Sequence, residues 1–543
     1  MPGQDCSKYD DFLSYVGEFG VYQMRLLTIM LLAAFLFGFT YCGHIFMVLV
    51  PANHWCRIPE LETLPKEQQL ALGIPKDKAG NFERCARYNV ALELDKLNIS
   101  KPNESWPRKQ CDKGWIYDKD EVPYETIATE GNWVCNDKEL VTYTSIIYFM
   151  GSVVGCLCFG YISDHCGRVW SLCLANSCAL IGGCLSALCK DFWPFSATRF
   201  LVGMAHDNCF NPIFILTLEN VGIKYRALIS NLALALGFSF SAAILPWIPY
   251  FLRDWRQFAL IMAVPVSVLV ILCVVIPESP SWLLSVGKVE RGMKGLKKVA
   301  KVNRKTLSDA EWLEMQMCFE LNNANQQSAK TYTFLDLFKS CRRAAIILML
   351  IANWSVVLLV YDAHLRIISS LGTNLFITFS LASLIEIPAG IVPLLLVDRV
   401  GRKPLMISSL LLCGVFSCLT GVLVVKWGIA VAAIFARFFV TVAYNVAQQW
   451  DVEILPTVVR GQGWAVINVI GHVGAVLSPF VIYTGNYYHS LPMFIIAFFS
   501  VIGIGTIICL PETKGTYLPQ TLEEAEKRWT LRCRNPKVKE TNA

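Results

Sequence analysis

Residues 161–168 read Tyr-Ile-Ser-Asp-His-Cys-Gly-Arg, and residues 395–402 read Leu-Leu-Val-Asp-Arg-Val-Gly-Arg. Each stretch ends a long apolar run with the spacing Asp-x-x-Gly-Arg. The second set (Asp398, Gly401, Arg402) follows the first (Asp164, Gly167, Arg168) by 234 residues. Two further pairs keep that offset: Glu219 and Arg226 with Glu453 and Arg460, and Pro277-Glu278-Ser279 with Pro511-Glu512-Thr513. Three motifs in one register make the chain two copies of a single unit.

What surrounds these motifs is too apolar for a soluble protein of this size. Of 543 residues, 54% are hydrophobic and 17% charged, so lipid must solvate most of the chain. Runs of about 20 apolar residues are read as helices, because a bilayer leaves no partner for open backbone groups. The spans fall at 24–49, 141–162, 170–188, 195–218, 228–251, 257–276, 344–365, 374–396, 404–424, 427–449, 461–484 and 490–510. The fold class is therefore all-α integral membrane, twelve helices in two pseudo-symmetric bundles of six, with the path between the halves.

Loop chemistry orients the bundle. Residues 51–140 hold Cys56, Cys85, Cys111 and Cys135, glycosylation sequons at Asn98 and Asn103, and more acids than bases, which suits an oxidising exterior. The four cysteines allow three pairings, and the sequence leaves the choice open. The segment 277–343 carries Lys294, Lys297, Lys298, Lys301, Arg304 and Lys305 and is expected in the cytosol. The N-terminal segment 1–23 contains Asp5, Asp10, Asp11 and Glu18 where a cleaved signal would be apolar. It is expected in the cytosol with the tail 511–543. The domain plan is then a bundle over 24–276 that includes the large loop, the segment 277–343, and a bundle over 344–510.

At the inner rim, a carboxylate at a helix end, a glycine permitting a tight turn and an adjacent arginine can pair neighbouring helices in one conformation and release them in another. Asp164, Gly167, Arg168, Glu219, Arg226, Asp398, Gly401, Arg402, Glu453 and Arg460 are read as gate latches on this ground.

Other stretches carry a family signature. They are Asp10-Asp11-Phe12-Leu13 with Val16-Gly17-Glu18-Phe19-Gly20 and Gln23, and Cys111-x-x-Gly114-Trp115-x-Tyr117-Asp118 with Trp133-Val134-Cys135. Pro277 to Leu283, Glu453-x-x-Pro456-Thr457-Val458-Val459-Arg460 and Pro511 to Gly515 complete the set. Together they resemble the solute carrier 22 branch of the major facilitator superfamily, the organic cation, carnitine and organic anion transporters. The resemblance covers nearly the whole chain and implies a plasma-membrane carrier. It also implies that Trp354, Tyr361 and Glu386 line the pathway.

Ionisable groups inside spans are costly and mark function. Asp207 stands near the middle of span four with Phe210 and Phe214 three and seven residues on, the spacing of one helical face, and an acid beside aromatic rings suits an organic cation. Asp362 and His472 complete the substrate candidates. In the resembled carriers the position of Asp207 is commonly basic, and that of His472 is often Asp in cation carriers and Arg in carnitine or anion carriers. These departures add acids and remove fixed positive charge, favouring a cationic or zwitterionic amine over an anion.

There is no Gly-rich phosphate loop ending in Gly-Lys-Ser/Thr, so a gradient or the membrane potential must drive transport. At 60 mV the potential contributes about 1.4 kcal/mol per charge, near tenfold accumulation. Coupling to Na+ or H+ stays open. Seven histidines scattered singly offer no metal-ligand spacing, so neither an enzyme, a metal nor a cofactor is expected, and no nucleic acid. The expected partners are a small organic ion and the bilayer. The alternatives are an organic anion carrier or a transport-inactive receptor of the same fold.

Overall fold

The computed structural model describes residues 9–76, 80–89, 106–328, 334–368, 374–456, 459–514 and 526. Among these, eleven helices are long and apolar enough to cross a membrane, from Val21–Met47 to Leu491–Cys509. The twelfth element departs from the uninterrupted helix expected at 195–218. It is two helices, Phe192–Ala205 and Asn211–Glu219, with a turn at 206–210 between them. The cause is local. Pro212, in the first turn of the second helix, has no N–H to donate, and its ring crowds the carbonyl four residues back. The turn closes through short-range bonds, His206 N to Gly203 O (2.9 Å) and Phe210 N to Asp207 O (3.2 Å). Span five begins earlier than expected, at Ile223, and passes through a π-helical stretch at Ala233–Phe238; wide turns of this kind favour functional sites.

The two ends of the bundle differ. At one, called here the loop end, the described residues of the 51–140 loop form a small domain on two antiparallel strand pairs, His54–Cys56 with Trp115–Tyr117 and Ala86–Tyr88 with Arg108–Gln110. Disulfides Cys56–Cys111 and Cys85–Cys135 staple it, choosing one of the three pairings. The sequons at Asn98 and Asn103 lie outside the described residues. Glu130 anchors the domain to span six through Arg256 (2.5 and 2.8 Å) and Trp255 Nε1 (3.0 Å), and this pairing holds its carboxyl below the usual glutamate range.

At the other, the motif end, the duplicated residues form matching networks. Arg168 meets Asp164 (2.9 Å) and Glu219 (3.3 Å), while Glu278 accepts from the backbone N–H groups of Arg168 (2.9 Å) and Val169 (3.2 Å). Arg402 meets Asp398 (3.0 Å) and Glu453 (3.0 Å), while Glu512 accepts from Arg402 N (3.2 Å) and Lys403 N (2.9 Å). Each carboxylate thus caps the orphan N–H groups that open a span. Gly167 and Gly401 have φ of 112° and 107°, a conformation L side chains rarely adopt. A Cβ on Gly167 would also stand 2.2 Å from Glu278 Oε2. Each network closes within its own half, so it braces that half. Arg226 donates to the carbonyls of Leu218 and Val221 (both 3.0 Å), and the side chain of Arg460 lies outside the described atoms.

The basic segment folds as the helix Val289–Val302, whose Met293, Leu296, Val299 and Ala300 are buried. Its end is fixed by Asn303, which donates to Val16 O (3.2 Å) and Gln23 Oε1 (3.0 Å) and accepts from Tyr22 N (3.0 Å). The apolar face of this helix packs on the first half while its lysines stay outward.

Candidate substrate site

Between the halves lies a cavity of about 690 Å³, within the size range of ligand sites. It reaches the motif end, where Asp164, Arg168 and Gln448 belong to its wall, and its floor holds Tyr41, His206, Asp207, Trp354, Tyr361 and His472. The broken fourth span places Asp207 there. Because the helix is interrupted at 206–210, the Asp207 carboxylate projects between the halves.

Its partners come from both halves. Asp207 Oδ2 contacts His472 Nε2 on span eleven, and Oδ1 lies 3.1 Å from Nδ1 of the neighbouring His206. His472 Nδ1 sits 2.7 Å from Asn468 O, a geometry that makes Nδ1 the N–H donor. Nε2 then faces a carboxylate oxygen, and the contact holds only with a proton between them. This contact crosses the interface between the halves, and a proton on either group would satisfy it.

Aromatic rings enclose this pair. On the second half, Trp354 packs on Tyr444 (5.2 Å) and Trp464 (5.0 Å), Tyr361 stacks on Tyr444 (4.8 Å), and Trp354 Nε1 is held by Asn468 Oδ1 (3.1 Å). On the first, Phe214 lines the cavity, and Tyr41 packs against His206 (4.5 Å). Phe210 sits behind this surface, buried, stacked on Phe37 (5.6 Å) and packed at a tilt against Phe214 (5.4 Å). The helix break turns it away from the face an unbroken helix would have given it.

Glu386 lines the cavity but already has a cation. Arg437 of span ten donates to it from Nε (2.9 Å) and Nη2, and lies 3.8 Å over the Tyr361 ring. Tyr361 OH (3.3 Å) completes the cluster. Asp362 lies outside the cavity wall, towards the loop end. It is buried and engaged by Arg366 Nε (2.8 Å), Tyr41 OH (3.3 Å) and Ser478 Oγ. Arg366 in turn covers the Phe149 ring at 4.7 Å. Since Tyr41 and Phe149 belong to the first half and Asp362, Arg366 and Ser478 to the second, this cluster joins the halves and shuts the cavity at the loop end.

Residues 114–529 match the Sugar (and other) transporter family. The carcinine transporter of Drosophila melanogaster is 30% identical over 97% of this chain and 81% of the fly protein. Solute carrier family 22 member 7 of Rattus norvegicus is 30% identical over 96% of this chain and 99% of its own. The chain belongs to solute carrier family 22. In fold, this solute carrier is similar to the E. coli xylose transporter XylE in an inward-open conformation, with a TM-score of 0.60 at 16% identity over 94% of this chain and 100% of that one. A XylE structure bound to 6-bromo-6-deoxy-D-glucose also scores 0.60, over 96% and 100%. It is thus a multi-pass membrane transporter of the major facilitator superfamily.

For this solute carrier 22 chain, the structure brings Asp207, Phe214, Trp354, Tyr361, Glu386 and His472 to one cavity wall, and sets Phe210 and Asp362 behind it. Arg437 is the functional residue that reading the sequence missed. Its signal was present, an arginine in the interior of the span expected at 427–449, where a lone charge demands a partner.

Proposed function

We propose that this chain carries small organic cations or zwitterions, such as amines and carnitine-like or carcinine-like compounds, across the plasma membrane by alternating access. In this reading Asp207 is the counter-charge for the cationic group. What carries it is a carboxylate on the cavity floor whose present partner is a titratable imidazole of the opposite half. The nearby carboxylates, Glu386 and Asp362, each have an arginine already.

An ammonium group entering from the motif end replaces the shared proton on Asp207 and rests among the rings of Tyr361, Trp354 and Phe214. His472 swings free as a neutral imidazole, so binding the cation releases the proton. This exchange makes H+ the coupling ion we favour. The halves then rock about the filled site, opening the cluster at Asp362 and Arg366 and closing the motif end, where the networks at Arg168 and Arg402 keep each half rigid. In the cell the motif end and both termini face the cytosol, and the disulfide-bonded loop faces outside. This orientation is supported by the lysines of the 289–302 helix and the cystines of the loop.

The test is uptake in oocytes of labelled amines, carnitine, carcinine and organic anions. Saturable uptake of amines or zwitterions, inhibited by an inwardly directed proton gradient, is the expected result. Preferential uptake of anions would overturn the assignment, and no flux of any class would favour a receptor on the same fold.

A further inference from the structure

The same floor brings together three residues that lie far apart in the sequence. Cys156 Sγ on span two, a carboxylate oxygen of Asp207 on span four and a ring nitrogen of His472 on span eleven all lie within 4.8 Å of one another. We propose that they form a binding site for a divalent metal ion of the zinc and cadmium class, and that a bound ion holds the transporter in the conformation described above.

Zinc takes sulfur at about 2.3 Å and nitrogen or oxygen at about 2.0 Å, so tetrahedral ligand atoms stand roughly 3.3–3.8 Å apart. The three groups reach that spacing by moving inwards about 1 Å, and Cys156 and Asp207 are only half-buried. His472 is already set as metal-ligating histidines usually are, its second nitrogen donating to a backbone carbonyl, Asn468 O at 2.7 Å. The metal would take the place of the proton between Nε2 and Oδ2. A second observation points the same way. The His206 ring is buried beside this floor, with Nδ1 3.1 Å from Asp207 Oδ1, and among the described residues Nε2 has no hydrogen-bond partner. It can fix the carboxylate or supply a fourth ligand, the other choice being water.

The donor set selects the metal. A thiolate and an imidazole favour zinc, cadmium or cobalt over magnesium and calcium, which prefer oxygen. One thiolate and one carboxylate also cancel the two charges of the ion, which a low-dielectric site requires. Because ligands come from both halves, the ion would stop their relative movement and inhibit turnover from the motif end. The site stands on this geometry; only competition between metal and amine rests on the proposed role of Asp207.

The experiment titrates purified full-length protein with Cd2+, following the thiolate-to-cadmium ultraviolet band, and measures Zn2+ inhibition of uptake in proteoliposomes. The wild type should show a tight binding step that Cys156→Ser lacks, and the inhibitory Zn2+ concentration should rise more than about 100-fold in Cys156→Ser. Cys156→His, which restores a ligand, should retain inhibition, and Mg2+ should have no effect. Equal Cd2+ binding and Zn2+ inhibition in wild type and Cys156→Ser would overturn the proposal, as would loss of inhibition in Cys156→His when that variant transports. A Cys156-dependent Cd2+ step in a protein whose amine uptake tolerates Asp207→Asn would support the metal site while removing the substrate reading.

Discussion

Asp207→Asn removes one charge at the cavity floor and keeps the shape of the side chain. The asparagine amide N–H can donate to His472 Nε2, so the halves keep their contact and the fold its packing. What is lost is the charged partner for an ammonium group. The Asp207 side chain is 17% exposed, so a bound ammonium would meet it largely away from water, where a hydrogen bond to a charged group contributes about 1.5–3 kcal/mol. The cation–π contacts of the surrounding rings survive the change. Apparent affinity for a monovalent amine should therefore fall roughly 10- to 150-fold, with the maximal rate less affected. The pH response supplies an independent sign. On the proposed exchange, a proton between Asp207 and His472 must leave before an ammonium takes its place, so amine binding from the motif end strengthens with rising pH. The variant has no proton to exchange there, and its affinity should be nearly flat. Other titratable groups facing Asp207 are Cys156 of span two, Tyr41 of span one, His206 beside it and Tyr444 of span ten, and all remain in the variant. Initial rates in proteoliposomes, normalised to reconstituted protein, read both quantities. An unchanged KM for amines, or the same pH slope in the two proteins, would refute the reasoning.

The braces at the motif end should matter for turnover. Arg168→Ala and Arg402→Ala each strand carboxylates that the arginine now neutralises, and both should slow exchange and lower thermal stability in detergent; wild-type turnover in both would defeat that view. Lysine should rescue position 402 poorly, since Arg402 donates to Glu453 through both Nε and Nη2 (3.0 Å each). At the loop end, Arg366→Met leaves Asp362 buried without its cation and should destabilise the protein by about 3–5 kcal/mol, whereas Arg366→Met with Asp362→Asn should recover much of that loss by thermal melting. In the disulfide-bonded loop domain, Cys56→Ser and Cys111→Ser should each lower surface expression no less than the double variant does, because they break one bond. Combining Cys56→Ser with Cys85→Ser should be worse than either alone, and surface biotinylation distinguishes the two patterns.

Much of this architecture could be read directly from the chain, and the places where reading failed have physical causes. Apolar length located the spans, because a bilayer permits no other long apolar element. The offset of 234 marked Arg168 and Glu219 as the counterparts of Arg402 and Glu453, and the structure pairs them alike in both copies. Span four was read as continuous since its composition is that of a helix; the single Pro212, acting on the turn before it, breaks it. Asp362 stood behind Asp207 as a second candidate, for both are acids in apolar runs and only Asp207 had the aromatic spacing beside it. Only the approach of Tyr41, Ser478 and Arg366 separates a closed ion-pair cluster from a site.

By itself, then, the sequence determined that the protein is a duplicated multi-span carrier with a cysteine-bearing loop and charged motifs at its helix ends, since these follow from solvation, repeat spacing and local chemistry. The tertiary structure decided which charges are already neutralised. Glu386 meets Arg437 and Asp362 meets Arg366, while among the described residues Asp207 pairs with imidazoles, His472 of the other half and His206 beside it. Asp362 and Arg366 are one helical turn apart, but the Glu386–Arg437 and Asp207–His472 contacts join residues 51 and 265 positions apart. Nothing local in the chain encodes those two contacts: packing within the second half makes the first, and packing of one half against the other makes the second.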